Sequence, residues 1–354
     1  MPAAERSKRL SSSFGLGEKL FASSDERRFV DSIAQGLDIV EDGLLDQMHF
    51  ADEIANATSR YLLEAGGKRV RPVLTLMTAQ LGEGNTSDVL LAAQAIEITH
   101  VASLYHDDVM DDAPSRRGVP TAHNVWGNSV AILTGDLLFA RASKIGAQLG
   151  ERVLALQAET FERLCLGQLR ETLGPRPDED PIAHYLQVLS DKTGSLISAA
   201  AQVGVILSNA PKEYLEPVAV YGEKIGVAFQ LIDDIIDLSP EADNTGKTAG
   251  TDLRAGVATL PVLYLRQLAK TDYDADDLLR RIDRDVTSAF YTEADTDELA
   301  AAIAQLRDHP VTAQTLVEAH RWAREAVEAL DPLPDGPVKK ALTRFADTIV
   351  ERST

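Results

Sequence analysis

The chain has 354 residues, 44% of them hydrophobic, with Lys+Arg 35 against Asp+Glu 55 and a formal net charge of −20. That size and apolar content support a large buried core, while the acidity argues against a nucleic-acid partner, whose phosphate backbone would be repelled. The one cysteine, Cys165, excludes an internal disulfide framework, fits a reducing compartment, and reads as a small core residue among apolar neighbours.

Met1–Ser13 is polar and carries no signal-peptide pattern. Residues 1–25 read as a polar tail and 26–354 as one domain. Apolar residues recur at helical spacing almost throughout, and sustained alternation of period two is scarce. The pattern predicts an amphipathic helix over 26–49 and another over Val70–Leu81 behind a glycine-rich turn. A third runs from Asp88 to about Asp112, with Ser87 as its cap. Further helices are predicted over 128–149, 151–171, 182–208, 212–238 and 256–270, and several within 275–353. Gly82–Asn85, Thr172–Pro177, Ser239–Gly250 and Asp331–Pro337 are the breakers. Leu196–Leu207 is too short to cross a bilayer and contains Gln202 and Gly204. The expectation is a soluble, cytoplasmic, all-α protein built as a single large helical bundle.

Two aspartate clusters of identical spacing dominate the chemistry: Asp107-Asp108-Val-Met-Asp111 and Asp233-Asp234-Ile-Ile-Asp237. Each ends a long apolar helical stretch and is soon followed by proline (Pro114, Pro240). Residues four apart share a helix face, so Asp107 and Asp111 point together, as do Asp233 and Asp237. Like charges in the last turn add to the negative end of the helix macrodipole, an arrangement that costs energy. A hard divalent cation removes that cost, since carboxylate oxygens are the ligands magnesium takes, often beside substrate phosphates. A solvated acidic face is the bland alternative, weakened by the repetition. To share metals, the two clusters must meet in the folded chain.

Cations accompany them. Gly66-Gly67-Lys68-Arg69-Val-Arg71-Pro72 places three positive charges on a turn entering a helix, Arg116-Arg117-Gly118 follows the first cluster, and Lys192-Thr193-Gly194 and Gly246-Lys247 add two more sites. Any one of these is more often an ordinary solvated residue; together they suit an anionic ligand. His100 lies two turns before Asp107, where a satisfied, half-buried histidine is an equal alternative. His106 beside Asp107 suggests the His-Asp ligands of a metal phosphohydrolase, but the remaining histidines form no constellation. No serine elbow, P-loop, dinucleotide fingerprint or zinc cysteine pair is found. The chemistry indicated is metal-assisted departure of a phosphate-type leaving group.

These residues resemble the trans-isoprenyl (polyprenyl) diphosphate synthase family, through Gly67–Pro72, His106–Asp112 with Arg116-Arg117-Gly118, Lys192-Thr193-Gly194, Phe229–Asp237, Gly246–Leu253 and Thr259-Leu-Pro261, in the family's order over roughly residues 60–265. The resemblance implies the isoprenoid synthase fold around a deep central pocket, with 26–354 as the catalytic domain, usually as a homodimer. It implies that Asp107, Asp111 and Asp233 ligate Mg2+, supported by Asp108, Asp234 and Asp237. Arg116, Lys192 and Lys247 would help hold the diphosphate of an allylic substrate (farnesyl or geranylgeranyl diphosphate), and Lys68, Arg71, His100 and Arg117 that of isopentenyl diphosphate. Thr193 and Gln230 would turn oxygen dipoles toward the allylic cation. Where the family commonly has a Gly-Lys pair before Thr-Leu-Pro, this chain has Gly256-Val257, which puts one phosphate-facing cation in question.

In the family the residues four and five before the first aspartate often set product length; here they are Ser103 and Ala102. A helix rises about 5.4 Å per turn, close to one isoprene unit, so small residues there leave the pocket open. The expected product is long, roughly seven to nine units by that comparison, as for a quinone side chain; a geranylgeranyl-type synthase is the alternative. Ile96 and Phe139 are candidates for a deeper floor. A terpene cyclase would not need the Lys68, Arg71 and His100 set, and a non-catalytic regulatory subunit would show degenerate aspartates. The lipid product implies transient membrane contact, although no basic amphipathic helix marks a membrane face.

Overall fold

The structure, a computed structural model, describes residues 23–239, 249–292 and 297–352. In chain order its helices are α1 (Ser24–Gln47), α2 (Glu53–Glu64), α3 (Val70–Ala79) and α4 (Ser87–Met110), then α5 (Ala122–Trp126), α6 (Asn128–Leu149) and α7 (Glu151–Leu173). They continue as α8 (Pro181–Leu189), α9 (Ser195–Leu207), α10 (Leu215–Asp237), α11 (Thr251–Arg254) and α12 (Leu260–Leu268). The last are α13 (Tyr273–Thr292), α14 (Asp297–Arg307), α15 (Pro310–Ala329) and α16 (Pro337–Glu351). A two-stranded ribbon, β1 (Ser115–Arg116) antiparallel to β2 (Val119–Pro120), is the one sheet among the described residues. The chain is all-α, as its apolar periodicity predicts.

The described residues group into two compact units. The first takes residues 23–164, 195–223 and 327–348. α1 starts at a capping box in which Ser23 Oγ accepts from Glu26 N and the Glu26 carboxylate accepts from Ser23 N. Its Phe29, Ile33, Leu37, Val40 and Leu44 form one buried stripe. α4 is capped by Thr86, whose Oγ1 accepts from Val89 N at 3.2 Å, so the cap stands one residue before the expected Ser87. Buried along much of its length, α4 packs against α6 in a core that includes Ile98, Val101, Ala102, Tyr105 and Leu138. α2 is missing from the predicted elements, because its polar start hides a short apolar face (Leu62, Leu63). Tyr105 pins it, donating to Thr58 O.

Helices α3 and α9 approach closely through small residues. Thr75 Oγ1 donates to Ala200 O at 2.8 Å and Thr78 Oγ1 to Ala201 O at 2.9 Å. A Cβ on Gly204 would lie 2.2 Å from Thr78 Oγ1 and 2.4 Å from Thr75 O. The predicted 182–208 helix is interrupted by a π-helical turn at Ser190–Gly194, which resets the register before α9.

The second unit holds the described residues of 165–194, 224–326 and 349–352. Its core joins Leu238, just past α10, to Leu253, Val262, Leu265, Leu278, Ile282, Leu299 and Ile303 of α11 to α14. Cys165, expected in a core, is exposed on α7 beside exposed Phe161, Leu166 and Leu169. Leu164 beside it is buried, so the core face of α7 stops one residue short of Cys165. No described helix is long and apolar enough to cross a membrane. The Gly204 contact gives a first prediction: Gly204→Val forces α3 and α9 apart and lowers the stability measured by urea unfolding by about 2 kcal/mol or more.

Candidate active site

In the first unit the glycine turn before α3 is shaped by its own arginine. Arg69 takes the left-handed conformation (φ 56) as N-cap of α3, and its buried guanidinium bonds Gly66 O, Leu63 O and Glu97 Oε1, the last at 3.2 Å. A Cβ on Gly67 (φ +145) would meet Arg69 Nη1 at 2.5 Å and Arg117 Nη2 at 3.0 Å. Glycine is required at that point both by conformation and by crowding. The ribbon carrying Arg116 and Arg117 is tied down by Tyr61, whose hydroxyl donates to Pro120 O at 2.8 Å, and by Arg117 Nη1, which donates to Leu62 O at 2.6 Å.

The result is a basic cluster around His100. Burial, then Arg71, Arg117, Arg116 and Arg69, hold its imidazole well below the ordinary histidine range. Burial also brings Arg71 down to about 10, opposed by Glu97, so it remains a cation at neutral pH. Glu97 is the buried carboxylate that balances this cluster. Cations concentrated in this way suit a compact anion. Lys68 is exposed on the same turn.

Two turns along α4 from His100 stands the first acid cluster. Asp108 is 1% exposed and receives Arg116 Nε at 2.7 Å, while its Oδ2 is buried without a hydrogen-bond partner. Burial raises its carboxyl, and Arg116 partly offsets this. Asp107 is half-buried and Asp111 is exposed. His106 points the other way, its Nε2 lying 3.1 Å from Ile132 O and 3.3 Å from Asp136, in a notch that Gly135 leaves on α6. It belongs to helix packing, which removes the phosphohydrolase-like pairing.

In the second unit the other cluster shows the same division. Asp234 is buried, accepts from Tyr185 OH at 2.6 Å, and is pushed up to about 8 by burial, the Tyr185 bond pulling it back and Asp252 and Asp233 pushing further. Asp237 accepts from Thr251 N and Asp252 N, each at 3.2 Å, at the start of α11. Asp233 is only half-buried. Lys192, on the π turn, is paired with Glu171, and Arg170 with buried Asp191. The turn sits tightly on α7, where a Cβ on Gly167 would meet Asp191 Cβ at 2.9 Å and Lys192 Cγ at 3.0 Å. Thr193 and Gln230 are half-buried. Lys247 and Gly246 lie outside the described residues, as does Pro240.

Sequence reasoning missed Tyr185, Glu97, Glu171 and Gln168. The Gln168 side-chain oxygen is buried without a hydrogen-bond partner one residue from Gly167. In the sequence it stands in the run Gly167-Gln168-Leu-Arg170-Glu171 near the end of an amphipathic helix.

Among the described residues no three His, Cys, Asp or Glu side chains gather into a ready-made metal shell. That is no obstacle to magnesium, which keeps several waters and is commonly held by one or two carboxylates together with substrate phosphates. Carboxylate oxygens, including the unused buried Oδ2 of Asp108, are donors that suit a hard divalent cation.

An apolar cavity of about 20 Å³ opens between α4, α7 and α9, lined by Ala92, Ile96, Thr99, Leu156, Thr160 and Leu196 among others. Ile96 and Thr99 share a face of α4 with Ser103 and Asp107. Of the positions linked to product length, Ile96 lines the cavity. Ser103 is half-buried, its Oγ donating to His100 O, and Ala102 is fully buried in the core against α6. Phe139 stacks instead on Phe161 (centroids 4.3 Å apart) and His106.

The polyprenyl synthetase family profile matches residues 52–294. The nonaprenyl diphosphate synthase of Mycobacterium tuberculosis is 40% identical over 338 residues, covering 95% of this chain and 96% of that protein. The crystal structure of a decaprenyl diphosphate synthase from Rhodobacter capsulatus superposes with a TM-score of 0.80 at 31% identity, covering 93% of this chain and 99% of that one. That of a geranylgeranyl pyrophosphate synthase from Corynebacterium glutamicum, complexed with calcium and isoprenyl diphosphate, gives 0.79 at 37% identity, covering 94% and 98%. The chain belongs to the polyprenyl synthetase family, has the helical isoprenoid synthase fold, and is an enzyme that transfers prenyl groups.

The depressed His100 gives a prediction with a definite sign. An unfolded histidine titrates near pH 6.5; native His100 does so well below it. As pH falls below about 6.5 the unfolded chain gains a proton that the native one refuses, so stability is lost on the acid side. Unfolding midpoints between pH 7 and 5 should fall less steeply in His100→Gln than in the wild type.

Proposed function

We propose that the chain is a long-chain all-trans polyprenyl diphosphate synthase, condensing isopentenyl diphosphate head-to-tail onto an allylic diphosphate such as farnesyl or geranylgeranyl diphosphate. The observation that carries this reading is the basic cluster of Arg69, Arg71, Arg116 and Arg117 gathered around His100, which shares α4 with the first acid cluster. A one-substrate cyclase has no need of that second anion receptor. Lys68, Arg71, Arg117 and neutral His100 bind the isopentenyl diphosphate, and Arg116 and Lys192 the allylic one, with Lys247 as a further cation. Asp107, Asp111 and Asp233 are the Mg2+ ligands. Asp108, Asp234 and Asp237 are the supports, each engaged by Arg116, Tyr185 or backbone N–H groups. Magnesium supplies positive charge for the departing diphosphate.

The chain's own part is to bind and orient both substrates, to offset charge on the leaving group, and to keep water from the carbocation. Loss of the allylic C–O bond leaves a delocalised cation, which Thr193 and Gln230 face with oxygen dipoles. The isopentenyl double bond attacks it, forming the new C–C bond, and the departing diphosphate takes the proton. A homodimer is part of the proposal, supported by the exposed apolar side chains Leu133, Leu154 and Phe161. The similarity to a heptaprenyl diphosphate synthase component 2 from Geobacillus stearothermophilus, 35% identical, makes a second subunit the competing arrangement. Cytoplasmic location completes the reading.

Incubation with labelled isopentenyl diphosphate, farnesyl or geranylgeranyl diphosphate and Mg2+, followed by product sizing, tests the reaction. Elongation should appear, should stop on chelation, and should be abolished in Asp107→Asn/Asp233→Asn. Release of free diphosphate without a new C–C bond overturns the reading. Arg71→Gln should raise the KM for isopentenyl diphosphate about 10- to 100-fold, the worth of one hydrogen bond to a charged group.

Product length follows the α4 face. The cavity beside Ile96 supports a tail running from Asp107 past Ser103 and Thr99. Ser103→Phe should shorten the products and Ile96→Ala lengthen them; Ala102→Phe should also shorten them, with a loss of stability from overpacking the α4–α6 core. An unchanged product ladder in Ser103→Phe removes this part of the proposal.

A further inference from the structure

The end of the chain carries a charge that the reaction described so far does not use. α16 stops at Glu351, and the next residue, Arg352, is folded onto α10. Its Nη2 lies 3.4 Å from Asp233 Oδ1, and its guanidinium carbon lies 5.0 Å from the centre of the Phe229 ring. Phe229 and Asp233 are four residues apart on one face of α10, so a single arginine spans both. The guanidinium lies over the aromatic ring and within ion-pair distance of the carboxylate. The two charged side chains are 30% and 39% exposed, which makes the pair exchangeable with solvent ions. Through this contact Asp233 meets a full positive charge.

We propose that Arg352 is a resident counter-cation for Asp233, occupying that carboxylate in the metal-free enzyme and giving way when a divalent cation binds there. This rests on reading Asp233 as a metal ligand. The carboxylates of Asp233 and Asp237, at the C-terminal end of α10, repel each other and the helix dipole. A guanidinium beside Asp233 offsets that repulsion while no metal is present. A divalent cation on the same oxygen cannot coexist with it, since two positive centres would then stand within a few ångströms. Metal entry therefore includes release of Arg352, which is held by one ion pair, one ring and the last turn of α16. Arg352 is in this sense a positioning residue that competes with the metal.

The test is Mn2+ binding to the full chain without substrate, the free ion counted by electron paramagnetic resonance, at low and high ionic strength. Mn2+ accepts the same oxygen donors as magnesium. Arg352→Gln should bind Mn2+ about two- to five-fold more tightly than wild type at low salt, the range expected for releasing a partly exposed ion pair. Arg352→Lys, which restores the charge, should bring affinity back toward wild type. The gap should narrow at high salt, where screening weakens the pair; a purely structural role would leave a salt-independent difference. Unchanged or weaker binding in Arg352→Gln overturns the proposal while leaving Asp233 as a ligand. Wild-type binding that survives in Asp233→Asn at the same affinity overturns the ligand reading itself, and the counter-cation with it.

Discussion

Buried or half-buried carboxylates at the C-terminal ends of apolar helices are the constraint on which this structure depends. α4 and α10 each end in three aspartates where the helix dipole is already negative, and an unpaired buried charge costs several kcal/mol. Each unit meets that cost locally. Arg116 reaches Asp108 from the β-ribbon. Tyr185 reaches Asp234 from α8, and the first N–H groups of α11 receive Asp237. Short connecting elements of no evident purpose in the sequence, such as the ribbon and the four-residue α11, are explained by these contacts.

The same economy shapes the cations. Arg69 is spent on structure, bonding Glu97 and the carbonyls of Leu63 and Gly66. By doing so it fixes the left-handed turn and sets the start of α3, from which Arg71 extends. Arg71, Arg117 and Arg116 then act together on His100, which stays neutral in their company. A neutral imidazole among guanidinium groups can still donate one hydrogen bond to an anion without adding repulsion when the site is empty. In the proposed reading this anion site is preorganised, because the cost of bringing like charges together was met when the chain folded.

Much of this was legible in the sequence for a physical reason. Helix existence follows from local periodicity, and the bounds of α6 and α7 fall where glycine, proline and apolar spacing place them. The paired aspartate motifs and the arginine turn are contiguous strings whose residue types already state their chemistry. The misses are of another kind. α2 was hidden by its polar first turn, and the helix over 182–208 was read as unbroken because nothing local marks a π turn at Ser190–Gly194. The apolar neighbours of Cys165 predict a core position, yet the thiol is exposed while adjacent Leu164 is buried. Ala102 and Ser103 are adjacent in sequence, yet a rotation of about 100° per residue puts Ala102 into the α6 packing and leaves Ser103 half-buried.

By itself, then, the sequence determined helical class, the acid clusters and the cations that accompany them, since these depend on residue type and on spacing within one or two turns. Tertiary structure decided which partner each aspartate meets. The partners that settle it are remote in the chain: Tyr185 for Asp234 and Arg352 for Asp233. Their choice is made by packing distance and burial, which no local pattern encodes.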